Sequence, residues 1–401
     1  MYLTRLSLTD FRTFSRLDMD LPSRIIILVG ANAQGKTSIL EAIFYLATIS
    51  SFTTSLDRQL INFNTPYAPI NVARIVAEYQ RKAKKHTMEI RLIQESNGAN
   101  TPLRFRKEVL LDGVKRRPGD IYGHFNAVIF LPQMARIIEG SPADRRSYID
   151  TLLSQVIPQY ARQLSDYEKA LSQRNALLKM LSEQGGEARQ LEVWDEMLSK
   201  LGASIIFTRI HALQELEPLA KRIHNRLTDE KEVLRLAYQP SYEPLPMPKG
   251  QLLLPVKTEI DRSSLALQDI QCGYQKALHA AYHEDIARGI TTLGPHRDEL
   301  RFISNQIDLG DYGSRGQART ALLSMKMAEV QWMHEKTGEW PVLLLDEIMS
   351  ELDPVRRADV LAALTDVEQA LLTSTDLDMF GHDFINHHDI WQVENGMVVK
   401  R

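Results

Sequence analysis

The chain has 401 residues, 44% of them hydrophobic and 25% charged, values of an ordinary globular protein with core enough to need no staple. A single cysteine, Cys272, excludes a disulfide scaffold and a tetrahedral cysteine zinc site within the chain. Lys and Arg number 48 against 51 Asp and Glu, a net charge of −3, which excludes a histone-like or tail-driven nucleic-acid binder but leaves room for a local basic surface.

The N-terminal segment alternates: Tyr2, Leu3, Leu6, Leu8 and Phe11 predict one strand, and Leu17, Met19 and Leu21 a second. Ile25 to Val29 is a β-branched apolar run, the pattern of a strand buried on both faces. A helix is predicted over Ser38 to Ile49. Asn71 to Glu78 and Met88 to Gln94 predict strands of a meander, and Asp112-Gly113 after Val109 to Leu111 a further turn. From Pro158 the period becomes helical, through Tyr160, Leu164, Tyr167, Leu171, Leu178 and Leu181. Gly185-Gly186 stops that helix and a second follows through Trp194, Leu198, Leu201 and Ile205, past Leu216. The pair predicts an antiparallel helical hairpin whose first arm, about 23 residues, is roughly 35 Å long, too short for the coiled coil of a filament or tether. Pro240, Pro244, Pro246 and Pro248 mark a loop. A helix through Ile270, Tyr274, Leu278 and Tyr282 brings the chain back. Trp340 to Leu345 and Gln369 to Thr373 predict strands, and Val355 to Leu364 a helix. The apolar runs are far too short to span a bilayer, and the N-terminus lacks a secretory h-region. The expectation is a cytoplasmic, reduced, soluble protein with no membrane partner. Its α/β parts are expected at 1–130 and 290–401, with a helical insertion at 131–289.

Gly30-Ala31-Asn32-Ala33-Gln34-Gly35-Lys36-Thr37 fits G-x-x-x-x-G-K-[ST] between a buried strand and an amphipathic helix, the context a phosphate loop requires. Its glycines and helix N-terminus turn N–H groups toward a phosphate chain. Lys36 is then expected to neutralise β- and γ-phosphates and the Thr37 hydroxyl to ligate Mg²⁺. Asn32, Ala33, Gln34 and Ser38 complete the loop. The bland alternative is a Gly-containing turn with a surface lysine. Val342 to Leu345 ends in Asp346-Glu347, where Asp346 suits the Mg²⁺ shell and Glu347 the polarisation of an attacking water. Ser314-Arg315-Gly316-Gln317 opens a further helix, and Ser350-Glu351-Leu352-Asp353 follows the acidic pair. Each alone reads as a capped helix or a turn. In this order they resemble an ABC-type ATPase head: a P-loop NTPase with an added antiparallel β-subdomain and, here, an inserted helical domain. That class implies that Ser314, Gly316 and Gln317 act in trans on the nucleotide of a partner copy, with Ser350 and Asp353 as a D-loop. An ATP-dependent homodimer with two shared sites follows.

The resemblance narrows further. L-T-D-F-R-T-F at Leu8 to Phe14, the GANAQGKTSILEAI run from Gly30, SFTTSLDRQLI from Ser51 and VIFLPQMARIIEGSPADRR from Val128 are similar to the RecF family of bacterial recombination mediators. So are Gln173-Arg174-Asn175, Gly294-Pro295-His296-Arg297-Asp298, Ser314 to Thr320 and Ser350 to Asp353. The resemblance covers the whole chain. It implies ATP and DNA binding, slow ATP hydrolysis used as a conformational switch, and cooperation with RecO and RecR in loading RecA at single-strand gaps or junctions. Replication-associated repair, the SOS response and association with the nucleoid come with it. Arg12 joins the expected ATP-binding residues on the same ground. Arg315 and Ala318 replace glutamines around Gly316, and Gln133, where an acid is common, suits a water or Mg²⁺ contact. Thr373 to Asp376 stand where transporter heads carry a switch histidine, consistent with slow hydrolysis.

Two segments are basic against the acidic total: 74–91 and 103–117 each hold six Lys or Arg against two acids. Arg81, Lys82, Lys84, Lys85, Arg104, Arg106 and Lys107 are therefore candidates for phosphate contacts that read no bases. Lysine-guarded strand edges are the competing account. A structural chromosome ATPase of the SMC/Rad50 kind shares the head motifs but needs far longer coiled coils. A transporter ATPase lacks its histidine here, and intact Lys36, Thr37, Asp346 and Glu347 speak against a vestigial loop.

Overall fold

Alternation at the N-terminus becomes a meander. The computed structural model describes residues 1–22, 24–64, 68–95, 104–245 and 260–400, so Pro246, Pro248 and Leu103 lie outside the described residues. Strands β1 (Tyr2–Phe11) and β2 (Phe14–Asp20) form a hairpin, and β3 (Ile25–Val29) leaves it for another sheet. After the helix Lys36–Thr48, β4 (Ile70–Arg81), β5 (Lys84–Glu95), β6 (Arg104–Leu111) and β7 (Val114–Arg116) complete an antiparallel sheet in the order β2-β1-β4-β5-β6-β7. Positive φ at Lys82 and Ala83, and at Asp112 and Gly113, builds the two-residue turns of β4–β5 and β6–β7. β8 (Ala127–Phe130), buried throughout, then returns to the sheet of β3.

The chain divides into two units, Met1–Gln133 with Met333–Arg401, and Met134–Trp332. The second unit contains the expected helical hairpin, Tyr160–Gln184 and Glu192–Leu227. Gly185, at φ 72, ends the first arm, a conformation glycine adopts at little cost. The return helix is two helices, Leu267–Ala280 and Tyr282–Arg288. β9 (Leu234–Gln239), β10 (Glu299–Ser304) and β11 (Ile307–Asp308) form a small antiparallel sheet. Residues 290–332, expected with the α/β parts, cluster instead with this unit, because β10 pairs with β9 along its whole length. The distance between these strands in the chain hides that pairing from any local pattern.

Two buried arginines organise the unit. Arg174 bridges Asp195 at 2.7 Å and Asp285 at 2.6 Å. Arg209 holds Asp150 and Asp298 and donates to the Pro295 carbonyl at 2.7 Å. Such pairs contribute little net stability but are costly to break one partner at a time. Between them His296 faces Tyr167 Oη through Nδ1 and the Thr291 carbonyl through Nε2. The carbonyl takes a proton from Nε2, so Nδ1 accepts from the tyrosine.

The last strands are β12 (Val342–Asp346), β13 (Ala370–Ser374), β14 (Asp389–Glu394) and β15 (Met397–Lys400). They complete the first unit's second sheet in the order β15-β14-β3-β13-β12-β8, parallel except for the β14–β15 hairpin. β3, β12, β13 and β8 are buried at every residue, as expected of strands covered on both faces. Among the described residues no helix is long and apolar enough to cross a membrane.

Burial pushes the His296 imidazole down to about 4. The unfolded chain then binds a proton at about pH 6.5 that the folded chain refuses until about pH 4. Stability should therefore be unaffected by this group above about pH 6.5 and fall as the pH drops toward 4, by up to about 3 kcal/mol. Urea unfolding across that range should show the fall in wild type and a shallower one in His296→Gln; parallel profiles would contradict the assignment.

Candidate functional site

The site grows from the C-terminal ends of parallel strands, where an α/β sheet leaves a crevice. β3 ends at Val29 and the chain turns through residues 30–35 into the Lys36–Thr48 helix. Two glycines are required by geometry. A Cβ on Gly30 would stand 2.2 Å from the Val393 carbonyl oxygen, and Gly35 has φ 106 with the Phe14 ring 2.7 Å from where its Cβ would be. Gln34 Oε1 accepts from the Asn395 N–H at 2.6 Å, tying the loop to the β14–β15 turn.

The helix start delivers Lys36 and Thr37 inward. Lys36, 4% exposed, donates from Nζ to the carbonyls of Gly30 at 2.7 Å and Ala31 at 3.2 Å, and pairs with Glu347 Oε1 at 3.1 Å. Thr37 Oγ1 lies 3.0 and 2.9 Å from the two carboxylate oxygens of Asp346, 309 residues away in the chain. Asp346 ends β12, and the Thr373 hydroxyl of neighbouring β13 donates to its Oδ1 at 2.7 Å. That same hydroxyl accepts the Glu347 N–H at 2.9 Å. Burial raises the Asp346 carboxyl above its ordinary range; the Thr373 and Thr37 hydrogen bonds and Lys36 oppose the rise, and Glu347 adds to it. Glu347 itself sits at φ 50, a strained position for a non-glycine residue.

Thr13, Asn32, Ala33, Gln34, Gly35, Lys36, Thr37, Ser38, Pro132, Gln133, Asp346 and Glu347 line one cleft of about 390 Å³. Nearly every phosphate-loop and acidic residue expected from sequence thus lines one space. Arg12 does not line it: its guanidinium forms a bidentate pair with buried Glu41, at 2.7 and 2.8 Å, and reaches the Thr53 hydroxyl and the Gln59 carbonyl. Thr13 and Pro132 line the cleft although no motif assigns them to it. Sequence marks Thr373 only as standing in for a histidine; no local pattern signals that its hydroxyl joins Asp346 to Glu347. Among the described residues no three His, Cys, Asp or Glu side chains gather as a metal site. The Thr37 hydroxyl and the Asp346 carboxylate lie side by side in the cleft, a pair that suits an ion taking its other ligands from a substrate and water.

Beyond the cleft, Ser350 donates to the Glu347 carbonyl at 2.8 Å, and Asp353 caps the Pro354–Ala363 helix through the N–H groups of Val355 and Arg356. In the other unit, Ser314 and Gln317 form reciprocal bonds at the start of the Arg315–Thr337 helix, a capping-box arrangement. The basic β-surface is partly neutralised. Arg81 pairs with Glu339, Arg106 with Glu95 and Glu108, and Lys107 with Asp57. Among the described residues Lys82, Lys84, Lys85 and Arg104 are exposed with no ion pair.

The sequence matches the family described as RecF/RecN/SMC N terminal domain over residues 2–397. It is 35% identical to the DNA replication and repair protein RecF of Staphylococcus carnosus over 100% of both chains. With the protein of that name from Chloroflexus aurantiacus it shares 37% identity over 99% of each. Among solved structures it resembles a recombination mediator protein RecF-ATPrS in the RecFOR pathway, with TM-score 0.82 and 30% identity over 100% of this chain and 98% of that one. An SMC head bound to the C-terminal winged-helix domain of ScpA shares the fold at TM-score 0.52 and 16% identity, over 100% of this chain and 98% of the other.

Thr373→Val removes the hydroxyl that satisfies both Asp346 Oδ1 and the Glu347 N–H. Asp346 would keep the Thr37 hydroxyl but lose this second donor, and the Glu347 N–H would be left unpaired; the change should cost about 1–3 kcal/mol, read as a lower denaturant midpoint. A midpoint equal to that of wild type would show that the bridge is not formed in solution.

Proposed function

The chain belongs to the RecF family within the RecF/RecN/SMC group, and from that premise we propose that it is an ATP-switched, DNA-binding recombination mediator. One observation carries the reading: Lys36 and Thr37 meet Asp346 and Glu347 at the floor of a single cleft. A triphosphate lying along Gly30 to Gly35 meets the N–H groups at the helix start. Its β- and γ-oxygens compete with Glu347 and the two backbone carbonyls for Lys36. Thr37 and Asp346 would hold Mg²⁺, with Gln133 on the cleft wall, and the ion would neutralise phosphate charge there. Glu347, released from Lys36, accepts the proton of the attacking water. Slow hydrolysis is consistent with Thr373, rather than a histidine, beside the acidic pair.

Ser314 and Gly316 are assigned to the nucleotide of a second copy, with Gln317 in the same trans-acting segment and Ser350 and Asp353 at the same junction, so ATP favours a homodimer. DNA contact is assigned to Lys82, Lys84, Lys85 and Arg104, whose charges are available to phosphates. Arg81, Arg106 and Lys107 are held by carboxylates and contribute less. RecR, RecO and RecA loading at gaps or junctions are the proposed pathway. The helices of the hairpin have 25 and 36 residues, so the longer spans only about 54 Å. That favours a mediator over an SMC/Rad50-like chromosome ATPase.

Lys36→Met should abolish ATP binding, measured by calorimetry, because the phosphate charge loses the cation buried beneath it. Glu347→Gln should keep ATP binding and accumulate an ATP-bound dimer that does not turn over. Wild-type hydrolysis in that variant would place the base elsewhere.

Reversing the charge of Lys82, Lys84 and Lys85 together should lower the log–log salt slope of duplex binding by about 0.9 for each phosphate no longer neutralised. Reversing Arg106 should change the slope little. Equal effects of both would mean that the ion pairs do not shield the strand surface.

A further inference from the structure

Both ends of the Gln317 side-chain amide are engaged inside its own unit. Its Oε1 accepts the Ser314 N–H at 3.1 Å, and its Nε2 donates to Glu232 Oε1 at 3.0 Å. The two ends could not be exchanged: a carboxylate accepts only, so the amide nitrogen must face it. Glu232 is itself fixed. Its Oε2 accepts from the Ser304 hydroxyl at 3.0 Å and faces His224 Nε2 at 3.2 Å. Burial pushes the Glu232 carboxyl up, but the bonds from Gln317, Ser304 and His224 outweigh that and hold it below its ordinary range.

His224 is fully buried in the last turn of the Glu192–Leu227 helix. Its Nδ1 lies 3.1 Å from Ser324 Oγ, whose one proton goes to the Thr320 carbonyl at 2.7 Å. Both ring nitrogens therefore face acceptors, which fixes the ring between Ser324 and Glu232. Ser324 lies two turns beyond Gln317 on the same helix, so His224 and Glu232 grip one face of that helix at two heights.

The groups left at the helix start are different ones. Ser314 Oγ accepts the Gln317 N–H at 3.2 Å and keeps its own proton to donate. Among the described residues the N–H groups of Arg315 and Gly316 have no partner in their helix, as the first turn dictates. Ser314, Arg315 and Gly316 are all exposed.

We propose that Gln317 is a positioning residue and not a nucleotide contact: Glu232, held by His224 and Ser304, clamps its amide so that the Ser314 hydroxyl and the Arg315 and Gly316 N–H groups face the partner copy's nucleotide in a fixed orientation. The inference rests on the reading of Ser314 to Gln317 as acting in trans. It gives Glu232, 85 residues upstream, a part in assembly and turnover that no local motif marks.

The test is a reversal of the donor and acceptor. Gln317→Glu keeps an acceptor for the Ser314 N–H but sets a carboxylate against Glu232. ATP-driven dimerisation and kcat should fall about tenfold, the scale of one unfavourable, partly buried polar contact. Adding Glu232→Gln restores a donor–acceptor pair in the opposite sense, and kcat should return to within about threefold of wild type. Glu232→Ala should lower kcat about tenfold with an unchanged KM for ATP, because each copy's own loop holds the nucleotide. Unfolding curves accompany each variant, and the single Glu232→Ala decides the matter if the double variant does not fold. Gln317→Glu with wild-type turnover, a folded double variant without rescue, or a fully active Glu232→Ala would overturn the clamp; the second would make the amide a direct contact. Wild type is the control for the underlying reading: if it neither dimerises nor turns over with ATP, the trans assignment fails, whereas a responsive wild type with indifferent variants sinks the clamp alone.

Discussion

One carboxylate, Asp346, ties the cleft together. It receives the Thr37 hydroxyl from the helix after β3 and the Thr373 hydroxyl from β13, while its own strand supplies Glu347 next in the chain. Buried, it would be costly without those donors. With them it fixes the relative register of β12, β13 and the Lys36–Thr48 helix. Lys36 is placed by the same arrangement, with two carbonyls behind it and Glu347 beside it. The charges that would greet a phosphate chain and its cation are therefore preorganised by sheet order rather than by the loop alone.

The inserted unit is built on a different kind of constraint. Arg174 and Arg209 are sealed from solvent with Asp195, Asp285 and Asp298, while Asp150 stays partly exposed. An ion pair so deep does not add much stability over apolar packing, but it tolerates only one arrangement of its partners. Arg174 reaches Thr291, and Arg209 reaches Pro295 and Asp298. The loop from 291 to 298 is pinned at both ends, with His296 inside and Arg297 exposed. Glu232 and His224 extend the same logic to the start of the Arg315–Thr337 helix.

Much of the cleft is legible in the sequence because its parts are local. A phosphate loop is a contiguous string between a strand and a helix, and the acidic pair ends an apolar run; both announce themselves. The Gly185-Gly186 stop, the Asp112-Gly113 turn and the two hairpin arms are legible for the same reason. What escapes is non-local. Residues 290–332 group with the insertion because β10 finds β9, about sixty residues earlier. Arg174 and Pro295 to Asp298 stand out only as family strings, since their partners are scattered between Asp150 and Asp285. The basic strands look uniformly available because sequence counts charges without showing that Glu95, Glu108 and Asp57 face Arg106 and Lys107. Arg12, grouped with the phosphate loop by resemblance, is held by Glu41.

The central claim is that a complete site needs the Gly30–Thr37 loop of one copy and the Ser314–Gln317 segment of another. Mixing two inactive variants tests it most directly. Lys36→Met disables the loop and leaves the segment intact; Ser314→Arg places a bulky cation in the segment and leaves the loop intact. In a mixed dimer one composite site carries both lesions and the other carries neither, so the account predicts that part of the ATPase activity returns on mixing. No recovery, with mixed dimers demonstrated by differential labelling, would contradict it.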